Sequence, residues 1–350
     1  MDHSSNTKII PYVDDYWNSY HEFAKSEWGV NSYQAQKNYV RWLYDENPSP
    51  NKLPTDFLIV VSTQNRVVGC IHKLRMPWIF QSNSIEIPTI HNLVVDREHR
   101  GHYGLPLILK SLRADEYGIV PGTAPPLSGI FDKLKCQPII VHWHRKVLRP
   151  FTGIMQLVMQ KLLKKCNYSY FVPEINFQNN SHFNITTQPP PDILLKIANT
   201  LNKRTNINEV HSFWNESWLK WRFFHEIGPK HLLIYKTING TDDIDFMIIS
   251  LGPRHGLNVA RLVEFSVTNR DTFITLLSQA ENYAKKARAH VFLAYIPETN
   301  TKNVILTSRW KKIHPSPANT YFYHRNKECY FDRYIMSAST VDCGFEAIRG

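Results

Sequence analysis

Residues 92–112 read Asn92-Leu-Val-Val-Asp-Arg-Glu-His-Arg100-Gly-His-Tyr-Gly104-Leu-Pro-Leu-Ile-Leu-Lys-Ser-Leu112, and this stretch decides the fold. Leu93, Val94 and Val95 form a short apolar run ending in charged residues, as a buried strand does. Arg100, Gly101 and Gly104 predict a tight turn in which backbone can approach a ligand closely. Beyond Gly104 the apolar residues Leu105, Ile108, Leu109 and Leu112 recur at helical spacing, with Pro106 tolerated in the first turn. Free amides at the positive end of that helix, beside an arginine, make a site for phosphate or pyrophosphate.

The segment resembles motif A of the GNAT superfamily of acyl-CoA-dependent N-acyltransferases. That pattern is an apolar strand, then Arg/Gln-x-x-Gly-x-Gly/Ala, then an amphipathic helix. The resemblance implies that Arg100, Gly101, His102, Tyr103 and Gly104, leading into Leu105, hold the pyrophosphate of coenzyme A. It implies also that the backbone of Leu93, Val94 and Val95 pairs with the pantetheine arm, and that acetyl-CoA or another acyl-CoA is the donor. Arg100 to Gly104 is one residue longer than the usual Arg-Gly-x-Gly. Anchoring on Gly104 brings the helix into register and places the extra residue at His102 or Tyr103.

At 350 residues the chain suits two domains, and 43% hydrophobic residues can fill two cores. The formal charge of +11 favours anionic partners, among them coenzyme A, sugar nucleotides and membrane surfaces. No compact block of Lys and Arg appears, so no nucleic-acid partner is expected. Cys70, Cys136, Cys166, Cys329 and Cys343 are scattered and never spaced as Cys-x-x-Cys, which argues against a disulfide framework or a metal site. The polar N-terminus carries no signal core and no apolar stretch is long enough to span a membrane, so a cytoplasmic location is expected.

Residues 1–165 are expected to form a first domain, 166–192 a linker rich in Asn and Pro, and 193–350 a second domain. In the first, helices are predicted at Tyr16–Trp28 and Ser32–Tyr44, and strands at Asp56–Ser62, Arg66–Lys73, Ile85–Val95 and Pro138–His144. An amphipathic basic helix over 146–165 aligns Val147, Phe151, Ile154, Met155, Val158 and Leu162. It is expected to dock on the second domain, and its basic end would also suit an anionic membrane. A faint repeat relates Trp42, before the strand at Asp56, to Trp221, before the strand at His231. A group of tandem GNAT proteins, bacterial in origin, shares these Trp segments, which here are Trp42, Tyr44, Asn47 and Pro48, then Trp221, Arg222 and Phe223. The fold expected is therefore α/β, of the α+β mixed-sheet kind: two tandem GNAT-like domains, each a central mixed sheet flanked by helices. After the strand at Arg261–Val267 the second half reads Thr268-Asn-Arg-Asp, with no glycine turn, so one cofactor site per chain is expected in a first domain followed by a degenerate second.

Direct acyl transfer to an amine needs a base for the amine and a proton for the departing thiolate. Glu86, at the start of the strand Ile85–Val95, is the first candidate base, since several family members carry a Glu there. By alternation it shares a face with Asn92 and Val94. His91 is the second, its ordinary pKa suiting neutral pH. Many members place a Tyr acid in the helix after the fifth strand; the matching position here is Phe131, which leaves Tyr103, Tyr117 or a water. His142 and His144 share one strand face without a third metal ligand in view. Asp14, Tyr16, Trp17 and Tyr20 can border an acceptor cleft.

The reading drawn is an N-acyltransferase, with acetyl the expected acyl unit, acting on a small-molecule amine or an amino sugar; a homodimer is compatible with it. Two alternatives stand beside it. One is an aminoacyl-tRNA-dependent transferase of the peptidoglycan-bridge type, and the other a binding protein with a vestigial coenzyme A site.

Overall fold

Phe57–Val61 is apolar throughout and buried on both faces, which makes it an interior strand around which a sheet is built. The computed structural model describes residues 7–30, 32–80, 83–122, 125–139, 143–163, 183–203, 209–228, 231–254, 257–295, 310–313, 320–325 and 333–335. Along the first part run β1 (Lys8–Pro11), α1 (Trp17–Trp28), α2 (Lys37–Tyr44), β2 (Phe57–Val61), β3 (Val67–Phe80), β4 (Asn83–Val95), α3 (Arg100–Leu112), β5 (Tyr117–Val120), α4 (Pro125–Lys133) and β6 (Gln137–Ile139). Then follow β7 (Trp143–Val147), α5 (Pro150–Leu163), β8 (Asn184–Thr186), α6 (Pro191–Asn202), β9 (Glu209–Ser212), α7 (Glu216–Phe224), β10 (His231–Thr237), β11 (Ile244–Arg254) and β12 (Leu257–Ser266). The last elements are α8 (Arg270–Lys286), β13 (Val291–Tyr295), β14 (Lys311–Ile313), β15 (Thr320–His324) and β16 (Arg333–Ile335).

The chain divides into two compact units, residues 1–140 with 316–333, and residues 141–315 with 334–350. Neither is contiguous. In the first the sheet order is β1-β2-β3-β4-β5-β15-β6, so a strand from near the end of the chain enters beside β5. In the second it is β14-β7-β13-β12-β11-β10-β8, and β7 is the strand that follows β6 in sequence. The predicted strand Pro138–His144 is therefore two strands in two sheets, with residues 140–142, His142 among them, outside the described residues. The predicted linker contains β8, which pairs with β10 at a sheet edge, and the start of α6.

Both units are mixed sheets, and among the described pairings each has a parallel pair bridged by a helix, β4-α3-β5 and β12-α8-β13. This is the predicted α/β architecture, repeated. α3 packs Leu107, Ile108 and Leu112 into a core with Leu58, Val60, Ile71, Ile90 and Phe131. α8 places Phe273, Leu276, Leu277, Ala280 and Ala284 into the second core.

Faces of β3 and β4 are assigned by their register, because directly opposed residues of an antiparallel pair share a face. Glu86 opposes Pro77 and so lies with Arg75 and Lys73. His91 opposes His72 and Val94 opposes Cys70, on the other face. Between these pairs β4 carries one extra residue, a bulge in which Asn92 has φ of +51°. Alternation does not pass through a bulge, so Val94 is not on the face of Glu86 as the sequence predicted.

Candidate active site

The two parallel pairs differ in one respect that matters. β12 and β13 are in register over four pairs, from Val259↔Val291 to Leu262↔Ala294. Between β4 and β5 the described pairing is Thr89↔Ile119 alone. Beyond Thr89, β4 runs on through the bulge to Val95 while β5 ends at Val120, so that end of β4 has no described partner on β5. Leu93 and Val94 lie half-buried along that end of β4, and Val95 is buried.

α3 begins at Arg100, one turn earlier than the sequence predicted. Arg100 to Gly104 is its first turn, not a loop before it, and neither Gly101 nor Gly104 has positive φ. The extra residue relative to the usual motif is thus absorbed as helix. The amides of Arg100 and Gly101 have no carbonyl four residues back within the helix, and the cap residue His99 provides no side-chain hydrogen bond. Gly104 precedes the buried Leu107, Ile108 and Ser111 by three, four and seven residues, and Gly101 precedes Ile108 by seven, so both lie on the inward face. A Cβ built on Gly101 or Gly104 meets no atom within 4 Å. The inward face of α3 is filled by core at its middle and open at its N-terminal turn. An anionic group has room there against bare backbone, at the positive end of the dipole.

The second unit closes the equivalent place. Asn269 caps α8 by accepting from Thr272 N at 2.9 Å, and Asp245 accepts from Thr268 N at 2.6 Å. One amide of its first turn and one just before the helix are thus met by side chains, and its parallel strands pair over four residues.

The other motif residues divide between ligand and structure. Arg100 is exposed, with Nε donating to Val95 O at 3.1 Å. His102 and Leu105 are exposed. Tyr103 packs against the core and its hydroxyl donates to Thr7 O at 3.5 Å, a structural placement away from Glu86. A cleft of about 940 Å³ opens beside the turn preceding α3; Glu22, Asp96 and Glu98 line it with Arg66 and Arg97, a balance that disfavours a polyphosphate.

The bulge organises a buried polar cluster that the sequence reading missed. Asn92 Nδ2 lies 3.0 Å from Tyr39 Oη, 3.2 Å from His72 Nδ1 and 3.1 Å from His91 Nδ1. Asn92 Oδ1 accepts from Gln34 at 3.0 Å, and His72 Nε2 lies 3.3 Å from Tyr20 Oη. An amide has two hydrogens for these three acceptors, so the two imidazoles compete and their tautomers are linked. An Asn in a strand is the only sequence signal, since Asn tolerates positive φ better than most residues.

Burial, and then the neighbouring His91, push the His72 pKa well below its ordinary value. His72 is therefore neutral when folded, and the unfolded chain binds a proton that the native state refuses once the pH falls below about 6.5. Stability is present above that pH and is lost as the pH falls, by up to about 1.4 kcal/mol per pH unit. Urea midpoints measured from pH 7.5 to 5.5 should fall in the wild type and flatten in His72→Gln; equal slopes would assign the acid sensitivity elsewhere.

Glu86 Oε1 accepts from Ser49 Oγ at 2.6 Å and Oε2 lies 3.9 Å from Arg75 Nη1. It stands five residues before His91, about 17 Å along the strand and on the opposite face. The structure does not bring Glu86, His91 and Tyr103 together. Phe131 is fully buried and stacks on Tyr321 of β15 at 5.1 Å, so the expected acid position is core. That pairing sets the Tyr321 phenol, its pKa raised by burial, beside the position, from 190 residues further along the chain.

Tyr117 lies at the start of β5 with its ring 4.9 Å from that of His324. Tyr20 is buried under Phe57, whereas Asp14 is exposed and pairs with Lys37 at 3.4 Å. His144 is buried on β7 of the second unit, and among the described residues no group of three potential metal ligands occurs.

No protein-family model matches the chain, and no curated protein matches it. Solved structures do. Saccharomyces cerevisiae N-myristoyltransferase with bound myristoyl-CoA superposes with a TM-score of 0.59 at 11% identity, over 91% of this chain and 83% of that one. A probable N-acyltransferase from Enterococcus faecalis gives 0.54 at 7%, over 91% and 72%. A GCN5-related N-acetyltransferase from Kribbella flavida gives 0.51 at 12%, over 91% and 70%. The chain shares the fold of these acyltransferases over 91% of its length.

Proposed function

We propose that this protein is an acyl-CoA-dependent N-acyltransferase whose donor site lies in the first unit. The observation that carries the proposal is the end of β4 left without a described β5 partner beside the open glycine face of α3, whereas the second unit pairs its parallel strands over four residues. The pantetheine arm lies along that end of β4, against the backbone of Leu93 to Val95. The pyrophosphate rests on the amides of Arg100 and Gly101, with the Arg100 guanidinium beside it. The acceptor is an amine, of a small molecule or an amino sugar. Its nitrogen attacks the thioester carbonyl carbon, the new C–N bond forms, the C–S bond breaks, and the thiolate of coenzyme A departs and is protonated.

His91 is the favoured base. It lies at the bulge where β4 runs on beyond its pairing with β5, and Asn92 links its tautomer to that of His72. Glu86 is engaged by Ser49 and Arg75 on the other face. His91→Gln is expected to lower kcat by roughly 10²- to 10⁴-fold with donor affinity unchanged, whereas Glu86→Gln stays within a few-fold in kcat. The reverse ranking would return the role to Glu86.

The likeness to a myristoyl-CoA complex favours a second reading of the donor, a long acyl chain in place of acetyl. Calorimetry with acetyl-, octanoyl- and myristoyl-CoA separates the two. Burying each methylene contributes about 0.8 kcal/mol, so six more would tighten binding by roughly 10³-fold in a long-chain site, whereas an acetyl site rejects them. Failure of every acyl-CoA to bind, with a copurifying tRNA, would move the aminoacyl-tRNA alternative forward. Binding without turnover on any amine would favour a vestigial site.

A further inference from the structure

Helix α5 is mounted inside out. Its Gly153 is buried, and a Cβ built there would stand 3.5 Å from His290 Cβ, while Gln156 and Gln160 on the same side are half-buried. At 3.6 residues per turn, Ile154, Val158, Phe151, Leu162, Met155 and Met159 fall in one continuous arc on the other side. All six are exposed, Phe151 by 81%, Leu162 by 73% and Met155 by 66%. The expectation that this apolar face docks on the second domain is thus corrected: the polar, small-residue side faces inward and the apolar side faces out.

The flanking charge is of one sign. Residues 143–165 contain Arg145, Lys146, Arg149, Lys161, Lys164 and Lys165, and no Asp or Glu. Lys146 is committed to Glu281 at 2.6 Å, whereas Arg145, Arg149 and Lys161 are exposed. With 14 residues, α5 is about 21 Å long, too short for a hydrocarbon core of about 30 Å. No helix of the described residues is long and apolar enough to cross a membrane.

We infer that α5 is a peripheral docking helix that lies in the interface plane of an anionic lipid bilayer. Its six apolar side chains enter the headgroup–acyl boundary, and its flanking cations meet lipid phosphates and carboxylates. Charge complementarity favours lipid over a second copy of the chain. A two-fold pairing through this face would bring like cations together without a carboxylate from either α5.

The test is cosedimentation of the full chain with phosphatidylcholine vesicles, with and without phosphatidylserine, alongside light scattering of the protein alone. Wild type should bind the phosphatidylserine vesicles in a salt-sensitive way and the neutral ones more weakly. Met155→Glu with Leu162→Glu should weaken that binding by about a hundredfold or more at unchanged Tm. Lys161→Gln leaves the apolar face intact, and so serves even if the double variant misfolds. It should weaken binding to the anionic vesicles roughly fivefold and leave the neutral ones unchanged. Absence of wild-type binding would overturn the inference. So would equal binding by a folded double variant, equal binding by Lys161→Gln, or a wild-type dimer that the double variant dissolves, which would make the face a contact between copies.

Discussion

Gly104→Trp is expected to abolish acyl-CoA binding, raising Kd by at least about a hundredfold, while Tm holds or rises. The two halves of that expectation have separate causes. A Cβ at residue 104 meets no atom within 4 Å, so the larger side chain enters space the folded protein does not use. Replacing a glycine within a helix gains up to about 1 kcal/mol of helix propensity. The same side chain fills the place where the pyrophosphate would lie. Gly69 supplies the contrast, because a Cβ there would stand 3.0 Å from Val60 Cγ2 and 3.1 Å from Val95 Cγ2. Gly69→Ala should lower Tm, because Val60 and Val95 would have to give way to the added methyl. Arg100→Ala, which removes one charge-assisted contact, should weaken binding by roughly 10- to 100-fold. Calorimetry beside thermal melts decides the matter: wild-type affinity in Gly104→Trp would refute the cradle, and a collapse in Tm would show that glycine serves packing there.

The strand and the helix within residues 92–112 were legible because both are local, signalled within a few positions by an apolar run and by helical spacing. The start of α3 was not, because Gly101 and Gly104 read as a turn when their service is to leave one helix face bare. The bulge at Asn92 was invisible for a related reason. One extra residue in β4 is defined only by what β3 places opposite it, and that register inverted the face expected for Val94. The exchange of β7 and β15 between sheets was further from reach still, since Tyr321 pairs with Val120 from two hundred residues away. Periodicity marks elements, not partners. The outward face of α5 shows the same limit: the spacing located the apolar stripe, but which side the protein would cover depended on Gly153 meeting His290.

Asp115→Ala is expected to cost about 3–5 kcal/mol, the largest single loss of stability in the first unit. Asp115 Oδ2 lies 2.5 Å from Lys73 Nζ and Oδ1 lies 2.7 Å from Arg75 Nη2, with all three side chains nearly excluded from solvent. Asp56 completes the group, pairing with Arg75 Nε at 2.7 Å and Lys73 Nζ at 3.5 Å. Removing Asp115 leaves two buried cations sharing one principal carboxylate, and an uncompensated buried charge accounts for the expected loss. The cluster also reaches the functional helix. Lys73 donates to the Ser111 carbonyl at 3.2 Å, near the negative end of the α3 dipole, and Asp115 follows directly after that helix. The group thus fixes the C-terminal end of α3 on the sheet while the open N-terminal turn is left for the donor. Denaturation with urea should show a lower midpoint for Asp115→Ala, and the triple change Lys73→Met, Arg75→Leu, Asp115→Leu should recover part of the loss, because apolar side chains leave fewer charges to be met. A midpoint in Asp115→Ala equal to that of the wild type would mean that water reaches the cluster and that its geometry contributes little. If the loss is as large as expected, donor affinity should also fall, since a helix free to shift at one end no longer holds Arg100 and Gly101 beside the end of β4.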